Sequence, residues 1–275
     1  MGKTTSVLAR AVIVLIAACG GQTASADLIF SAPPRETPEA GQKIYGPLAE
    51  YLSKATGEKI EYRYPDNWGI YQVMMTKGTY DLVFDGPHFV SWRAQNLQHV
   101  PLAALSGKLR FVIIARQDDT RTRVVADLAG KNVCGHAPPN LATLTLFDRF
   151  TNPSRLPKLV ESKGFDDAYQ KLLATKCVAT VLPLEVYQKL EGAVERTKVL
   201  YTGEPYANQA LTAGPRVSAQ AREKIVQALL GAEGQRASRP IAASFGGGEF
   251  IATGVNDYAS YGNLLKNVWG FEPRP

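Results

Sequence analysis

The sequence has 275 residues, of which 45% are hydrophobic and 20% charged, and its formal net charge is +6. This balance is typical of a folded globular protein and excludes a disordered or collagen-like chain. Lysine and arginine are scattered along the chain, and Arg121 and Arg123 stand among aspartates, so the positive charge does not indicate a nucleic-acid partner.

The first 26 residues predict an export signal. Lys3 and Arg10 form a basic start, residues 11–18 are apolar but too few to span a bilayer, and residues 24–26 (Ala-Ser-Ala) form a cleavage site. In the alternative interpretation the chain is a lipoprotein, because Ile-Ala-Ala-Cys19 fits the cleavage pattern that makes Cys19 the lipid-bearing N-terminus. Both interpretations place the folded part in the periplasm, an oxidising compartment.

After the signal, strand-like and helix-like segments alternate, which is typical of a mostly parallel sheet covered by helices. The first unit has predicted strands at 28–32, 60–64, 80–85 and 109–115 and predicted helices at 37–55, 67–77 and 88–95.

The polar segment 117–123 predicts a surface crossing into a second unit, in which the alternation restarts. There we expect strands at 133, 159–160 and 177 and helices from 141, 165 and 184. A tail from about Tyr206 follows, with predicted helices at 219–230 and 258–269, and we expect it to pack on the first unit.

Residues 130–147 predict a strand, a tight loop and the first turn of a helix, an arrangement that holds ligands in α/β proteins. Asn140 is a good N-cap, and the hydroxyl of Thr143, three residues later, is within reach of the backbone or of a ligand. His136 lies in the loop itself and is a candidate ligand contact.

Cys134 and Cys177 lie in two short β-like runs. Because neighbouring strands would bring them within bridging distance, we expect a structural disulfide in an oxidising compartment. The alternative is a thiol that binds a soft metal or an arsenical.

Four segments together resemble the phosphate/phosphite/phosphonate-type substrate-binding proteins of ABC transporters. They are Phe30-Ser-Ala-Pro-Pro-Arg-Glu, the helix end Leu-Ala-Glu-Tyr-Leu-Ser-Lys54, Gly78-Thr-Tyr-Asp-Leu-Val-Phe-Asp-Gly-Pro-His, and Asp127-Leu-Ala-Gly-Lys. The resemblance implies an α/β fold of the two-lobed, type II-like periplasmic binding proteins, with a ligand cleft between the lobes and hinge closure over the ligand. The expected division is 27–116 plus 207–275 for lobe 1 and 117–206 for lobe 2.

Three positions depart from the family's anion contacts. The family has a Ser/Thr-rich turn where this chain has Asn140-Leu-Ala-Thr143, a histidine where it has Gly164-Phe165, and a tyrosine at the strand end where Asp85 stands. We therefore expect a ligand other than a simple phosphonate, less charged or partly apolar.

Asp85 would repel an anionic ligand if it were poorly solvated. It therefore pairs with a basic residue, for which Arg35 is the candidate, or selects a donor-rich or cationic ligand, or caps the helix that begins at Pro87.

Three further side chains are candidate ligand contacts. Trp68 and Tyr71 stand where the family has an aromatic that lines the cleft, although core positions are the alternative. His88 follows a strand end and faces the ligand or lies on a helix surface.

The leading hypothesis is a non-catalytic, monomeric binding protein that delivers a small molecule to an ABC permease, without metal or cofactor. The alternatives are a ligand-sensing partner of a signalling receptor and an envelope carrier of a lipid-like molecule. A hydrolase is a remote alternative, because the sequence lacks Gly-x-Ser-x-Gly, His-Glu-x-x-His and Walker-type motifs.

Overall fold

The structure is a computed structural model that describes residues 1–2, 27–245, 247–266 and 268–271. Nearly all of the predicted export signal, Cys19 included, lies outside these residues. The strands are β1 (Leu28–Ser31), β2 (Ile60–Tyr62), β3 (Leu82–Asp85), β4 (Val100–Leu105), β5 (Lys108–Leu109), β6 (Phe111–Arg116), β7 (Asn132–Gly135), β8 (Lys158–Glu161), β9 (Ala179–Pro183), β10 (Thr197–Thr202), β11 (Tyr206–Ala207), β12 (Ala210–Ala213) and β13 (Phe250–Ala252).

The helices are α1 (Pro38–Thr56), α2 (Trp68–Thr76), α3 (Pro87–Leu97), α4 (Leu141–Phe147), α5 (Phe165–Leu173), α6 (Leu184–Glu191), α7 (Ala219–Leu230), α8 (Ala232–Ala237) and α9 (Arg239–Ser244). In the described part of the chain, none of them is long and apolar enough to cross a membrane.

Two separate sheets form the centres of two lobes, as predicted. The first lobe contains a six-stranded sheet in the order β13-β4-β12-β3-β1-β2, and the second contains a five-stranded sheet in the order β10-β6-β9-β7-β8. β1 runs parallel to β2 and β3, and β7 runs parallel to β8 and β9. The carboxyl ends of these parallel strands lead into loops and helix starts, the usual place for ligands in such sheets.

The chain passes between the sheets earlier than the sequence indicated. The strand predicted at 109–115 was expected in the first unit, but as β6 it pairs with β9 and β10 of the second sheet. The polar segment 117–123 therefore joins two strands of one sheet and is not a crossing between units. β6 is apolar on both faces, with Phe111 and Ile113 in one core cluster and Val112 and Ile114 in another, so its sequence did not reveal its sheet.

The ends of α1 follow the local sequence rules. The hydroxyl of Thr37 accepts a hydrogen bond from the N–H of Ala40 at 3.3 Å, and Gly57 ends the helix at a φ of 80°, a conformation that favours glycine. Tyr45, Leu48 and Leu52 form the buried face against the first sheet. The predicted amphipathic helix was correct because its apolar spacing matches one helical face.

The tail returns to the first lobe, since β12 and β13 both pair with β4. The helix predicted at 258–269 is wrong: the structure has 3₁₀ turns at Val255–Asp257 and Tyr261–Leu265. A Cβ on Gly262 would lie 2.9 Å from the Gln95 side chain of α3. The tail thus packs closely against α3. This packing, which the apolar spacing of the sequence does not show, accompanies the 3₁₀ turns found in place of a helix.

Candidate functional site

A cleft between the lobes has one enclosed end and two wider openings. The enclosed end has a volume of about 20 Å³, and the first and second openings have about 560 Å³ and 550 Å³. Arg35 and Phe165 line both the enclosed end and the first opening, and Trp68 lines the enclosed end and the second opening. The three spaces therefore share wall residues along the cleft, and its enclosed end has room for about one water-sized atom.

The enclosed end combines a mostly apolar wall with a few polar side chains. The rings of Phe89, Phe111, Phe165 and Phe245 contribute to the wall. Arg35, His88, Asn140 and Gln209 supply the polar groups, of which only Asn140 comes from the second lobe. This composition is typical of a small-molecule site.

Arg35 brings a buried cation to the enclosed end. It follows Pro33 and Pro34 in the loop after β1, is 8% exposed, and stacks its guanidinium over the Phe245 ring at 5.2 Å. Its Nη1 atom is buried and has no hydrogen-bond partner in the described part of the chain. Glu36 and Asp85 compensate part of the charge, but the buried Nη1 donor itself is unsatisfied, so this atom is suited to an anionic ligand.

Asp85 is paired with Arg93 rather than with the expected Arg35. Arg93 Nε lies 2.6 Å from Asp85 Oδ2, and both side chains are fully buried. The hydroxyl of Tyr71 donates to the other carboxylate oxygen, and burial raises its pKa well above the ordinary value, so it stays protonated. Asp85 does not cap α3 either, because the N-cap is Gly86 and has no side-chain hydrogen bond. Tyr71 and Asp85 therefore lie behind the cleft wall.

His88 reaches across the cleft. Its Nε2 lies 3.0 Å from the carbonyl oxygen of Pro139 in the opposite lobe. Since a carbonyl only accepts, Nε2 carries the proton. Burial lowers the pKa of His88 to about 3, against the opposing effect of this hydrogen bond, and the charge of Arg35 lowers it further. The ring is therefore neutral, and its Nδ1 is a buried acceptor without a partner among the described residues.

His136 lines the second opening rather than the enclosed end. Its ring lies 4.9 Å from that of Phe165 and 5.9 Å from that of Trp68, so it is held between residues of both lobes. Burial lowers the pKa of His136 to about 4, and the charge of Arg35 acts in the same direction. Its Nε2 is buried and has no partner in the described ranges.

Asn140 and Thr143 both have structural partners. The Asn140 side chain accepts from the N–H of Ala142 at 2.9 Å, which confirms the predicted N-cap of α4. The hydroxyl of Thr143 donates to the carbonyl oxygen of His136 at 2.5 Å and is fully buried. Asn140 thus lines the enclosed end, whereas Thr143 holds the loop that carries His136.

Three polar residues at or behind the site did not emerge from the sequence. Gln209, 5% exposed, has a buried amide oxygen without a partner among the described residues. Glu36 lines both openings, and its Oε1 accepts from Tyr45 at 3.2 Å. Arg93 neutralises Asp85. Glu36 had one available signal, its position next to Arg35 in the loop after a strand; the other two had none.

The predicted disulfide is confirmed. The Cα atoms of Cys134 and Cys177 lie 5.8 Å apart and the two sulfur atoms are bonded. Cys177 precedes β9 instead of lying in a strand. The bond links the end of β7, from which the loop to His136 begins, to the start of β9. Among the described residues, no cluster of three or more metal-ligating side chains is suited to a metal ion.

Comparisons with known proteins agree on one family and one fold. The model of the family described as "ABC transporter, phosphonate, periplasmic substrate-binding protein" matches residues 30–258. The phosphate-import protein PhnD of Mycolicibacterium smegmatis is 28% identical over 142 residues, which is 46% of this chain and 44% of that protein. The match therefore spans less than half the length of that relative.

Three solved structures share the fold at low identity. PhnD1 from Prochlorococcus marinus in complex with methylphosphonate has a TM-score of 0.72 at 14% identity and covers 88% of this chain and 97% of that one. A binding protein component of an ABC phosphonate transporter from Pseudomonas aeruginosa has a TM-score of 0.68 at 13% identity, covering 86% and 84%. A Xanthomonas citri protein bound to ATP has a TM-score of 0.66 at 11% identity, covering 89% and 96%.

Proposed function

The chain belongs to the family of periplasmic phosphonate-type substrate-binding proteins of ABC transporters, and we propose that it captures a small, singly charged oxyanion of phosphorus for delivery to a permease. Monoanions of phosphite or of an alkylphosphonate are the proposed chemical class. The related proteins named for phosphate import and for methylphosphonate binding support this class.

The buried Nη1 of Arg35 carries the proposal. It is a donor on a cation whose side chain lines the enclosed end of the cleft, and it has no hydrogen-bond partner within the described ranges. An oxyanion there would offset the cost of burying the charge, and the guanidinium fork matches its oxygens.

The remaining wall favours one negative charge over two. His88 is neutral, and the surrounding rings are apolar, so Arg35 is the cation that faces the enclosed end among the described lining residues. A second negative charge would be buried without compensation. Apolar walls also suit a hydrogen or alkyl substituent on phosphorus.

The pairing of Asp85 changes the expectation about ligand charge. The sequence argument against a simple phosphonate rested partly on repulsion by this carboxylate, and Arg93 compensates its charge. The other part of that argument remains, because Leu141 and Ala142 offer no hydroxyls where the family has Ser or Thr. The proposal therefore replaces the expectation of a ligand other than a simple phosphonate and keeps only its second part, that the ligand is weakly charged and partly apolar.

The lobes must separate to admit a ligand, because the enclosed end has room for about one water-sized atom. We propose 27–105 with 210–271 as the first lobe and 111–202 as the second, in place of the division expected from the sequence. Strand pairing supports these bounds, and the short β5–β11 pair lies between them as the proposed hinge.

The family is periplasmic, and we propose a soluble, monomeric, non-catalytic protein cleaved after Ala26. In the lipoprotein alternative Cys19 carries the lipid. Mass spectrometry of the mature N-terminus separates the two, because only one of them leaves Asp27 as the first residue.

Isothermal titration of the mature protein with phosphite, methylphosphonate and phosphate tests the ligand class, with arginine as the control solute. We expect phosphite or methylphosphonate to bind at least about 100-fold more tightly than arginine, since Arg35 repels a second guanidinium. Failure of all three phosphorus oxyanions to bind would refute the proposed ligand class.

A further inference from the structure

We propose that His88 is a specificity-determining residue that accepts a hydrogen bond from a protonated ligand oxygen, so that the site selects singly protonated oxyanions over fully ionised ones. The inference rests on the proposed capture of a phosphorus oxyanion and specifies its protonation state. It predicts that sulfate, an oxyanion of the same tetrahedral shape without a proton at neutral pH, is rejected.

The backbone of the opposite lobe fixes the tautomer of His88. Its Nε2 must donate to the carbonyl oxygen of Pro139 at 3.0 Å, so the neutral ring presents a lone pair at Nδ1. The ring is 2% exposed and stacks on Phe89 with 3.9 Å between ring centroids, which holds its plane. An acceptor in a fixed orientation is therefore built into the wall.

Gly86 leaves this acceptor open. A Cβ at position 86 would lie 3.2 Å from Nδ1 and 3.1 Å from Cε1 of His88. Any other residue there would crowd the edge of the ring that carries the lone pair. Buried polar atoms are normally paired, but Nδ1 has no hydrogen-bond partner in the described part of the chain.

The enclosed end has room for about one ligand oxygen. Arg35 and His88 both line this space, and each has a buried, unpaired atom among the described residues: the donor Nη1 of Arg35 and the acceptor Nδ1 of His88. A singly protonated oxyanion accepts from Arg35 and donates to His88, whereas sulfate can only accept. Sulfate would leave a buried acceptor facing its own lone pairs, a loss that corresponds to about 100-fold in affinity.

Arg35, Asp85 and His136 surround His88, and none of them supplies a proton to its Nδ1 in place of the ligand. Arg35 faces it and opposes its protonation. Asp85, at the end of β3, is held by Arg93 on α3 and by Tyr71 on α2. His136, in the loop that also carries Pro139, is itself buried and neutral. Glu36, next to Arg35, lines the two openings, and burial raises its pKa. The pH dependence that comes from the ligand is therefore the change in the ratio of methylphosphonate affinity to sulfate affinity.

Titration of methylphosphonate and sulfate from pH 5.5 to 9 tests the inference. We expect methylphosphonate affinity to fall about tenfold per pH unit above the second ionisation of the ligand, the dependence for one bound proton. Sulfate should bind about 100-fold more weakly than methylphosphonate at pH 5.5.

Two variants of His88 distinguish the role of the donor Nε2 from that of the acceptor Nδ1. His88→Gln keeps a donor near Pro139 but removes the acceptor, and should reduce the preference over sulfate to less than about tenfold. His88→Asn keeps an amide oxygen near the position of Nδ1 and should retain the preference. Thermal melting confirms that each variant folds. If neither does, the wild type is titrated with methanesulfonate, a singly charged tetrahedral anion without a proton, which should bind about 100-fold more weakly than methylphosphonate.

Tight methylphosphonate binding that is independent of pH, or equal affinity for sulfate, would overturn the inference together with the proposed preference for one negative charge, while capture of a phosphorus oxyanion would stand. Retention of the full preference by His88→Gln would also overturn it. Binding of neither anion at any pH would instead count against the ligand class itself, together with this inference.

Discussion

Arg93 Nε lies 2.6 Å from Asp85 Oδ2 in the interior of the first lobe, where neither side chain is exposed. Arg93 Nη2 also donates to the Tyr71 hydroxyl at 2.9 Å. The network ties α2, which begins with Trp68, to the end of β3 and to α3, which carries His88. It therefore positions two cleft residues without contacting the cleft itself.

Replacing Asp85 by Asn should destabilise the protein by about 3–5 kcal/mol, because it leaves the charge of Arg93 buried without a counterion. The double replacement Asp85→Leu with Arg93→Met should recover most of this loss, since it removes both charges. Urea denaturation of the two variants and the wild type measures both quantities.

The exposed pair of Arg63 and Glu61, with side chains 52% and 51% exposed, is the matched control. Glu61→Gln should change the free energy of unfolding by less than about 1 kcal/mol. Additive losses in the double variant at 85 and 93 would contradict the argument, because they would mean that the two charges do not compensate each other.

Replacing Arg35 by Met should weaken oxyanion binding by about 100-fold or more, because the ligand loses its cationic partner. The free energy of unfolding should fall, since the buried carboxyl of Glu36 loses the neighbouring charge that favours its ionised form. Titration calorimetry and urea denaturation measure the two effects.

Arg35→Lys should restore part of the affinity, because it keeps the charge but not the planar fork. Arg63→Met removes an exposed arginine and should leave binding unchanged. Unchanged affinity in Arg35→Met would show that the ligand does not contact this side chain.

Helices with clear local signals were predictable from sequence. Ala219–Leu230 has the predicted bounds, Phe165–Leu173 begins at the predicted residue, and Asn140 caps its helix as expected. Capping side chains and apolar spacing act within a few residues, so the sequence alone displays them.

The sheet to which an apolar strand belongs could not be predicted. β6 has apolar residues on both faces, which fits the centre of either sheet, and its partners β9 and β10 lie more than 60 residues away. β4 and β12 escaped prediction altogether, and the antiparallel position of β12 between β3 and β4 is set by tertiary pairing.

The structure brings together four of the side chains that the sequence predicted as ligand contacts, but the sequence did not reveal which side chains pair with one another. Arg35, Trp68, His88 and Asn140 meet at the enclosed end. The partner of Asp85 was missed because Arg93 lies within α3, where an arginine is usually exposed. Gln209 comes from the chain's return to the first sheet, and only the three-dimensional fold brings it to the cleft.

Removing the disulfide should cost about 4 kcal/mol in the chain-entropy account, because its two cysteines are 43 residues apart. Urea denaturation of Cys134→Ala with Cys177→Ala, compared with the wild type, measures this. A reducing agent should lower the stability of the wild type by a similar amount and leave the double variant unchanged. If the reducing agent also destabilised the double variant, the loss of stability in the wild type would not come from breaking the Cys134–Cys177 bond.

The three histidines of the sequence should make the protein less stable in acid. Burial lowers the pKa of His88 and His99 to about 3 and that of His136 to about 4, against an ordinary value of 6.5. Between these values the unfolded chain binds protons that the folded protein does not. The histidine contribution to stability is therefore fully present above pH 6.5 and is lost as the pH falls toward 4, with a slope of about 4 kcal/mol per pH unit near pH 5.

Carboxylates titrate in part of the same range, so the decisive quantity is the difference between wild type and a variant. His88→Gln removes one of three histidines and should reduce the histidine slope by about a third in urea denaturation between pH 5 and 7. An unchanged slope would mean that His88 is accessible to protons in the folded state, and it would remove the reason for treating its Nδ1 as a permanent acceptor. The same variant thus links the stability of the fold to the chemistry of the cleft.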